Sequence, residues 1–349
     1  MRIVVTGATG NVGTAVVKAL AGDDRVDEIV AVARRAPAHG LWGAQFVGAD
    51  VAESELVSIF RGADAVVHLA WLIQPGRDES VTSRVNRLGS HRVFQSAVEA
   101  KVAALVYASS VGAYSPGPKD RLVDESWPTD GVATSFYSRH KASVERDLDR
   151  LQREHPALRV VRLRPGLIFK REAATEIRRL FVGPFLPRSI LHTKLFPVAP
   201  AIPGLRFQAV HSDDVADAYR RAALGDASGA FNIAAEPVVG SEEIAQLLGA
   251  RPVKVPAAVV RGAAAASFAL RLQPAEPGWF DMAVSVPLMS TERARRQLGW
   301  EPRHTATEAI RELFEGLGGN ADADTPPLAR STSGRARVRE LLTGLGKRP

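Results

Sequence analysis

The chain has 349 residues, of which 46% are hydrophobic and 24% charged, so it is long enough for one large folded domain and a smaller lobe. It contains no cysteine, which excludes disulfides, thiolate metal sites and a cysteine nucleophile. Its net charge of +7 comes from Lys and Arg residues spread along the chain, without a helix-turn-helix, zinc or RNP pattern, so we expect no nucleic-acid binding.

The start of the chain and its most apolar stretches bear on location. The opening "MRIVVTGATG" passes from Met into a short apolar run with no basic segment before it, which argues against a signal peptide and favours a cytoplasmic protein. The apolar stretch 180–205 is broken by prolines and charges, and 257–272 is shorter than the roughly 20 residues that a membrane span needs. We expect no transmembrane segment.

The first half of the chain alternates short apolar runs with amphipathic helical stretches. The runs are continuously apolar, as strands covered on both faces should be, and the alternation is typical of a parallel sheet between two layers of helices. Six strands are predicted: 2–7, 28–33, 45–50, 65–70, 104–110 and 158–165. The sequence therefore predicts a doubly wound α/β fold.

The pattern loosens after Pro165 and then returns in pieces. A strand leading into a helix is predicted at 206–224, a strand at 230–235, and helices at 241–249 and 290–300. We assign 1–165 to the sheet domain, with 206–235 returning to it, and 166–205 with 236–318 to a smaller, discontinuous substrate lobe. Residues 319–349 are expected to form a flexible basic tail, with a helical turn near 335–343.

Three glycines follow the first strand and open the first helix. Gly7, Gly10 and Gly13 would let the backbone turn tightly, approach a pyrophosphate and aim the free amides of the helix N-terminus at its charge. A glycine pattern alone is weak, but this one has a strand before it and a helix after it. The stretch predicts a dinucleotide site in a Rossmann-like domain.

The end of the second strand bears on which dinucleotide is bound. An acidic residue there would hydrogen-bond the ribose 2′-OH of NAD, but the chain has Ala33 followed by Arg34 and Arg35. Guanidinium groups suit the 2′-phosphate of NADP, so NADP is favoured over NAD, unless the two arginines are simply solvated surface. Asp50 would either accept a hydrogen bond from the adenine amine or cap a helix.

The stretch "YSRHK" places Tyr137 and Lys141 one helical turn apart. A phenol with a pKa near 10 needs a neighbouring cation to act in proton transfer at neutral pH, and Lys141 could be that cation. Ser109 and Ser110 lie just past a strand end, at the edge where open α/β sheets bind ligands. The three groups predict one site.

Taken together, these motifs resemble those of the extended short-chain dehydrogenase/reductase superfamily, the group of NAD-dependent epimerases and dehydratases. The resemblance covers roughly residues 1–318, and its motifs agree in order and spacing. They are "TGATGNVG" (6–13), "HLAW" (68–71), "VNRLGS" (85–90), "SSVGAY" (109–114), "YSRHK" (137–141), "RLRPG" (162–166) and "VHSDDVA" (210–216).

The resemblance implies roles for individual residues. Tyr137 would be the general acid/base, Lys141 would lower its pKa and bind the nicotinamide ribose, and Ser110 would orient the substrate oxygen, with Ser109 the lesser candidate. The implied cofactor-binding residues are Gly7, Thr9, Gly10, Asn11, Val12, Gly13, Arg34, Arg35, Asp50, Val51, Leu69, Ala70, Tyr137, Lys141 and Pro165.

Other polar residues of these motifs are harder to place. Asn86 is similar to an asparagine that shapes the central helix or a proton path in some members, or else it is a helix-surface amide. His68 is expected to pack rather than to react, and His211 has no evident proton-transfer partner. The eight histidines look too scattered for a metal site, and we predict none.

The substrate region departs from the pattern of nucleotide-sugar enzymes. Those enzymes commonly show an Asn and a Tyr-Gly pair after the sixth strand, where this chain has Leu167, Phe169 and Lys170. The stretch 180–207 is markedly apolar, which favours a hydrophobic carbonyl or hydroxyl substrate, or else indicates a lobe core or dimer contact.

Three functions remain open on sequence alone. The favoured one is an NAD(P)-dependent oxidoreductase, and the alternatives are a nucleotide-sugar epimerase or dehydratase with recycled NAD and a non-catalytic dinucleotide sensor. Members of the family often pair through central helices, here about 83–100 and 138–154, so the resemblance makes a homodimer one option, while the sequence itself leaves the oligomeric state open.

Overall fold

The computed structural model describes residues 1–37, 39–73, 77–177, 198–273, 275–319, 325, 327 and 328. The predictions for 178–197 and for a helical turn near 335–343 lie outside these residues. The strands are β1 (Arg2–Thr6), β2 (Glu28–Ala33), β3 (Gln45–Gly48), β4 (Ala65–His68), β5 (Ala104–Ala108), β6 (Leu122–Val123), β7 (Arg159–Pro165), β8 (Leu167–Phe169), β9 (Val198–Ala201), β10 (Arg206–Phe207), β11 (Ala209–His211), β12 (Gly229–Ile233), β13 (Val239–Gly240), β14 (Arg251–Lys254) and β15 (Leu288–Met289).

The α-helices alternate with these strands. They are α1 (Asn11–Ala21), α2 (Val57–Phe60), α3 (Glu79–Ser83), α4 (Ser90–Glu99), α5 (Phe136–Glu154), α6 (Ala174–Ile177), α7 (Ser212–Leu224), α8 (Ser241–Leu247), α9 (Ala257–Ala269), α10 (Pro277–Ser285), α11 (Glu292–Leu298) and α12 (Ala306–Gly319). A π-helix (Arg84–Gly89) joins α3 to α4, and 3₁₀ turns occupy Val111–Ala113 and Arg171–Ala173.

Seven of the described strands form one parallel sheet in the order β12-β7-β5-β4-β1-β2-β3. The strand order reverses at β1, because β1 pairs with β2 on one side and with β4 on the other. This reversal creates a crevice at the carboxyl ends of β1 and β4, where open α/β sheets bind ligands. The predicted doubly wound fold is confirmed.

Successive residues of β1 enter two different cores because side chains alternate across a strand. Ile3 and Val5 pack with residues of α1, α7 and α11 on one face. Val4 packs with residues of α4 and α5 on the other face. Burial on both faces explains why these strands are apolar at every position.

Several strands end earlier than their sequence pattern predicts. The runs predicted to end at residues 7, 50, 70 and 110 instead end at Thr6, Gly48, His68 and Ala108. The residues beyond each end keep their apolar or small character but turn out of the sheet. They build the loops at its carboxyl edge, so the difference in length falls at the ligand-binding edge.

The remaining strands pair in two-stranded sheets outside the main one. β8 pairs with β11, β9 with β14, β10 with β13 and β6 with β15. Among the described helices, none is long and apolar enough to cross a membrane. Beyond α12, Thr325 and Leu328 are buried and Pro327 lines the same pocket as the glycine turn.

Candidate active site

The glycine turn between β1 and α1 is held by close backbone contacts. Gly7 has a φ of +73°, and a Cβ atom there would lie 2.7 Å from the backbone nitrogen of Ala70. A Cβ on Gly13 would lie 2.2 Å from the Gly7 carbonyl oxygen. Helix α1 has Gly10 at its N-cap, without a side-chain cap and with no acidic residue in its first turn. The amides at this helix end are therefore open to an anion.

A pocket at the carboxyl edge of the sheet gathers most of the predicted cofactor residues. Those that line it are Gly7, Thr9, Gly10, Arg34, Arg35, Asp50, Val51, Leu69 and Ala70. Gly13 instead supports the turn from behind, and Val12 packs on the core. Pro165 is buried at the end of β7, opposite Ile233. Asn11 accepts hydrogen bonds from Ser212 and Lys170.

The basic pair and Asp50 all line this pocket. Arg34 is exposed and Arg35 half-buried, directly after Ala33, the last residue of β2. Asp50 accepts a hydrogen bond from the Ala52 amide at 2.9 Å, so it caps a turn and lines the pocket as well. The two roles offered for Asp50 are therefore compatible.

A turn after β5 places the serines. Ser110 caps the 3₁₀ turn by accepting a hydrogen bond from the Gly112 amide at 3.0 Å. Ser138, buried in the first turn of α5, donates to the Gly112 carbonyl and accepts from the Val132 amide. Ser138 therefore fixes the start of α5 to the Ser110 turn, which sets Ser110 and Tyr137 relative to each other.

Tyr137 and Lys141 lie on one face of α5, as predicted. The Lys141 Nζ is 5.8 Å from the centre of the Tyr137 ring, and it donates to the Ala108 carbonyl at the end of β5. Burial raises the pKa of Tyr137 to about 12, although a hydrogen bond with Ser110 opposes this. Burial lowers the pKa of Lys141 well below its usual value, and Glu145 opposes that shift. Tyr137 therefore holds its proton at neutral pH.

Glu145 is a buried residue of the site that motif reasoning missed. It lies one turn beyond Lys141, and Arg164 binds both its carboxylate oxygens at 2.9 and 3.0 Å. Arg162 binds it at 2.9 Å, and Ser109 also donates to it. Burial raises its pKa, but these partners together hold that pKa at about 2. Because Ser109 is engaged here, Ser110 is the serine left to meet a substrate.

The signal for this network was present in the sequence as an acid four residues after Lys141 and as two arginines alternating in "RLR". Trp71 was also missed. Its ring centre lies 3.4 Å from the Lys141 Nζ, a cation–π distance, and its side chain lines the same pocket as the glycine turn. Only the fold brings the loop after β4 against α5, so spacing could not reveal this contact.

Asn86 and His68 are both buried beside the pocket. The Asn86 side chain accepts from the Leu72 amide at 2.7 Å and donates to the Leu72 carbonyl at 2.8 Å, so the surface alternative for Asn86 is wrong. It holds the loop after β4. His68 bonds Thr6 and Ser90, and burial, aided by Lys141, lowers its pKa to about 3. The neutral, packed role expected of His68 agrees with this arrangement.

His211 has a carboxylate partner, contrary to expectation. Its Nε2 lies 3.1 Å from Glu312, its ring centre lies 4.1 Å from that of His304, and these three residues could group around an ion. The histidines are therefore less scattered than expected. However, the His211 Nδ1 accepts from the Asp213 amide, so Nε2 carries the ring proton and donates to Glu312. Both ring nitrogens are in use, and the arrangement is a hydrogen-bonded contact between the end of β11 and α12.

Lys170, which stands where nucleotide-sugar enzymes commonly have glycine, is buried against α1. Its Nζ donates to the Asn11 carbonyl and to Thr14, each at 2.9 Å. Leu167, at the position of the usual asparagine, is 41% exposed, and its side chain can offer no hydrogen bond. These departures from the nucleotide-sugar pattern therefore persist in three dimensions.

The sequence is similar to a protein family and to individual proteins of known sequence. Residues 3–234 match the sequence model of the NAD dependent epimerase/dehydratase family. An uncharacterised protein of Mycobacterium tuberculosis is 25% identical over 344 residues, which are 96% of this chain and 88% of that protein. An L-arabinose 1-dehydrogenase (NAD(P)(+)) of Haloferax volcanii is 38% identical over 110 residues, 31% of this chain and 41% of that protein.

Solved structures share the fold. The UDP-glucose 4-epimerase of Thermus thermophilus in complex with NAD has a TM-score of 0.67 and 23% identity, and the match covers 91% of this chain and 99% of that one. A structural match at this level of sequence identity shows a shared fold, but it does not identify the substrate.

Proposed function

Because the chain belongs to the NAD dependent epimerase/dehydratase family, we propose that it is an NADP-dependent oxidoreductase with Tyr137 as the general acid/base. The observation that carries this proposal is the convergence of Ser110, Tyr137 and Lys141 beside the dinucleotide pocket. When bound, the dinucleotide supplies or accepts the hydride. The substrate would be a carbonyl compound in one direction and an alcohol in the other.

The residues present fit a dinucleotide. The Gly7 turn leaves no room for a side chain beside Ala70, and the uncapped start of α1 would hold the pyrophosphate. Arg34 and Arg35 line the same pocket, with no acid at the end of β2. This combination supports NADP, because two guanidinium groups suit a 2′-phosphate and an acid would have repelled it.

The chain's own groups are arranged for protonating a substrate oxygen. Tyr137 keeps its proton at neutral pH, since its pKa is raised to about 12. The Ser110 hydroxyl, hydrogen-bonded to the same phenol, would hold the oxygen in place. A protonated phenol suits the reductive direction, in which a carbonyl oxygen becomes a hydroxyl and needs a proton.

A Tyr137→Phe variant tests the catalytic role. We expect carbonyl reduction to fall about 10² to 10⁴-fold, because the positioned acid is lost, while the Kd for NADPH stays within about twofold. Tyr107→Phe is the matched control, since the Tyr107 hydroxyl is buried with no hydrogen-bond partner among the described residues. Full reductase activity in the Tyr137→Phe variant would refute the role of this residue as the general acid/base. Normal dinucleotide binding and a surviving cellular function without reduction would instead favour a dinucleotide sensor.

A second candidate is an epimerase or dehydratase that returns the hydride to its own substrate. The likeness to the UDP-glucose 4-epimerase fold favours considering it. Mass spectrometry of dinucleotide released from freshly purified, denatured protein separates the two. Near-equimolar NAD⁺ would favour the epimerase or dehydratase, whereas NADP(H) or little retained cofactor supports the exchanging oxidoreductase.

A further inference from the structure

A row of aromatic rings surrounds Tyr137. The Trp71 ring meets it edge-on with centres 5.9 Å apart, and the Trp279 ring lies against it with centres 4.8 Å apart and a tilt of 38°. Phe136 continues the row, with its centre 6.3 Å from that of Trp279. These rings come from the loop after β4, from α5 and from α10, so only the fold brings them together.

The two tryptophans contact the phenol in different ways, one edge-on and one tilted against it. Trp71 lines the dinucleotide pocket and covers the Lys141 ammonium. Trp279 does not belong to the described lining of that pocket, and it lies on α10 of the C-terminal lobe. A substrate that shares Tyr137 with the dinucleotide would therefore meet Trp279, whose side chain is only partly buried.

The surroundings of Trp279 are apolar. Val132, Met282 and Val286 form a buried cluster against which Tyr137 and Trp279 pack. The cluster reaches the catalytic turn, because a Cβ on Gly112 would lie 2.9 Å from the Met282 sulfur. An apolar wall therefore runs from the Ser110 turn to α10.

The charged groups on this wall do not suit a phosphate. In the described part of the chain, α10 and its N-cap contribute Glu276 and Asp281, both acidic. Glu276 accepts a hydrogen bond from the Phe136 amide, and Asp281 is paired with Arg261 at 2.6 Å. The charged side chains that α10 and its N-cap themselves contribute are thus both carboxylates, which a diphosphate placed against this helix would face.

We propose that Trp279 is a substrate-contacting residue that selects uncharged, planar compounds, in which an aromatic or conjugated system adjoins the reacting carbonyl, by stacking on its indole ring. This inference rests on the proposed oxidoreductase function and names its substrate class. Offset stacking between rings is favourable beyond the area it buries, and a saturated compound of the same size forgoes that part.

Two aldehydes with the same carbon skeleton test the proposal. We would measure NADPH-dependent reduction of trans-cinnamaldehyde, which is planar, and of 3-cyclohexylpropanal, its saturated counterpart. We expect kcat/KM to be about fivefold to tenfold higher for the planar aldehyde, and Trp279→Ala to remove that preference by raising KM with little change in kcat. Trp279→Phe should retain most of the preference, and Trp42→Ala, at an exposed tryptophan, should retain all of it.

The outcomes separate this inference from the proposed function. Equal kcat/KM for the two aldehydes, or an equal loss for both in Trp279→Ala, would overturn the stacking role and leave the oxidoreductase standing. If neither aldehyde is reduced, calorimetry with trans-cinnamyl alcohol and the NADP⁺ complex decides. Binding that weakens about fivefold in Trp279→Ala would support stacking and count against oxidoreductase turnover of this class. No binding, or epimerisation of UDP-glucose instead, would overturn both.

Discussion

The glycine end and the tyrosine end of the site are built in different ways. At the glycine end the close contacts join backbone atoms, both within the turn from Gly7 to Gly13 and between Gly7 and Ala70. At the tyrosine end they join side chains far apart in sequence: Ser109 bonds Glu145 across 36 residues, and Arg164 bonds Glu145 across 19. The first end depends on side chains being small, and the second on side chains being present.

The two ends should therefore tolerate different substitutions. Adding a single carbon atom should damage the turn, because no space is left for it. Removing a single charge should damage the network, because its partners are buried and cannot turn to water.

The largest effect is expected at Glu145. Glu145→Gln removes the carboxylate that compensates Arg164 and Arg162, whose side chains are 5% and 7% exposed. We expect the free energy of unfolding to fall by about 3–5 kcal/mol, the usual result of breaking one side of a buried ion pair. Urea unfolding measures it.

Glu154→Gln serves as the control for that change, because Glu154 is exposed at the end of the same helix. Its unfolding free energy should change by less than about 0.5 kcal/mol. If Glu145→Gln unfolded at the same urea concentration as the unaltered protein, the tyrosine end would not depend on its buried charges.

The sequence predicts those parts of the fold that depend on local patterns better than those that depend on distant side chains. The sheet was predictable because its strands are continuous apolar runs between turn residues, and each run is a local pattern. The glycine end was predictable for the same reason. The strand ends were predicted too long, because the small apolar residues past Thr6 and His68 fit a strand as well as a ligand loop.

The tyrosine end was predicted only in part. Tyr137 and Lys141 share one helix turn, so their pairing is local. Ser138 acts on a turn 26 residues away, and the contact of Glu276 with α5 spans 140 residues. Neither contact leaves a periodic signal, and the partner of His211, 101 residues away, was missed for the same reason.

At the glycine end, Gly13→Ala should be the most destabilising substitution that adds one carbon atom. Its Cβ would lie 2.2 Å from the Gly7 carbonyl oxygen, so the turn must shift, and we expect a loss of about 3 kcal/mol in unfolding free energy together with weaker NADPH binding. Gly40→Ala is the reference, because a Cβ there meets nothing within 4 Å. Thermal unfolding and NADPH titration of both variants check it, and equal behaviour would contradict the tight turn.

Between the two ends, His68 makes stability depend on pH. Its pKa is about 3 in the folded protein and near 6.5 when unfolded, so below pH 6.5 the unfolded chain takes up a proton that the folded protein does not. Stability is therefore lost as pH falls from about 6.5 towards 3, by about 2 kcal/mol between pH 7 and 5.

The measurement is unfolding free energy against pH in His68→Gln, with His91→Gln on α4 as the reference. The slope between pH 7 and 5 should flatten only in His68→Gln. An unchanged slope there would mean that the acid sensitivity arises at other groups.

The smallest effect is expected at Arg34, which lines the pocket directly after β2. Arg34→Ser removes an exposed guanidinium, and we expect the Kd for NADPH to rise about tenfold, equivalent to about 1.4 kcal/mol, with the Kd for NADH changed less than twofold. Arg146→Ser, at an exposed position of α5, should alter neither. Because the two dinucleotides differ only in the 2′-phosphate, the ratio of the two Kd values isolates the contact in question. An equal rise for both would place Arg34 on a part that they share, and NADP selection would then have to come from elsewhere in the pocket.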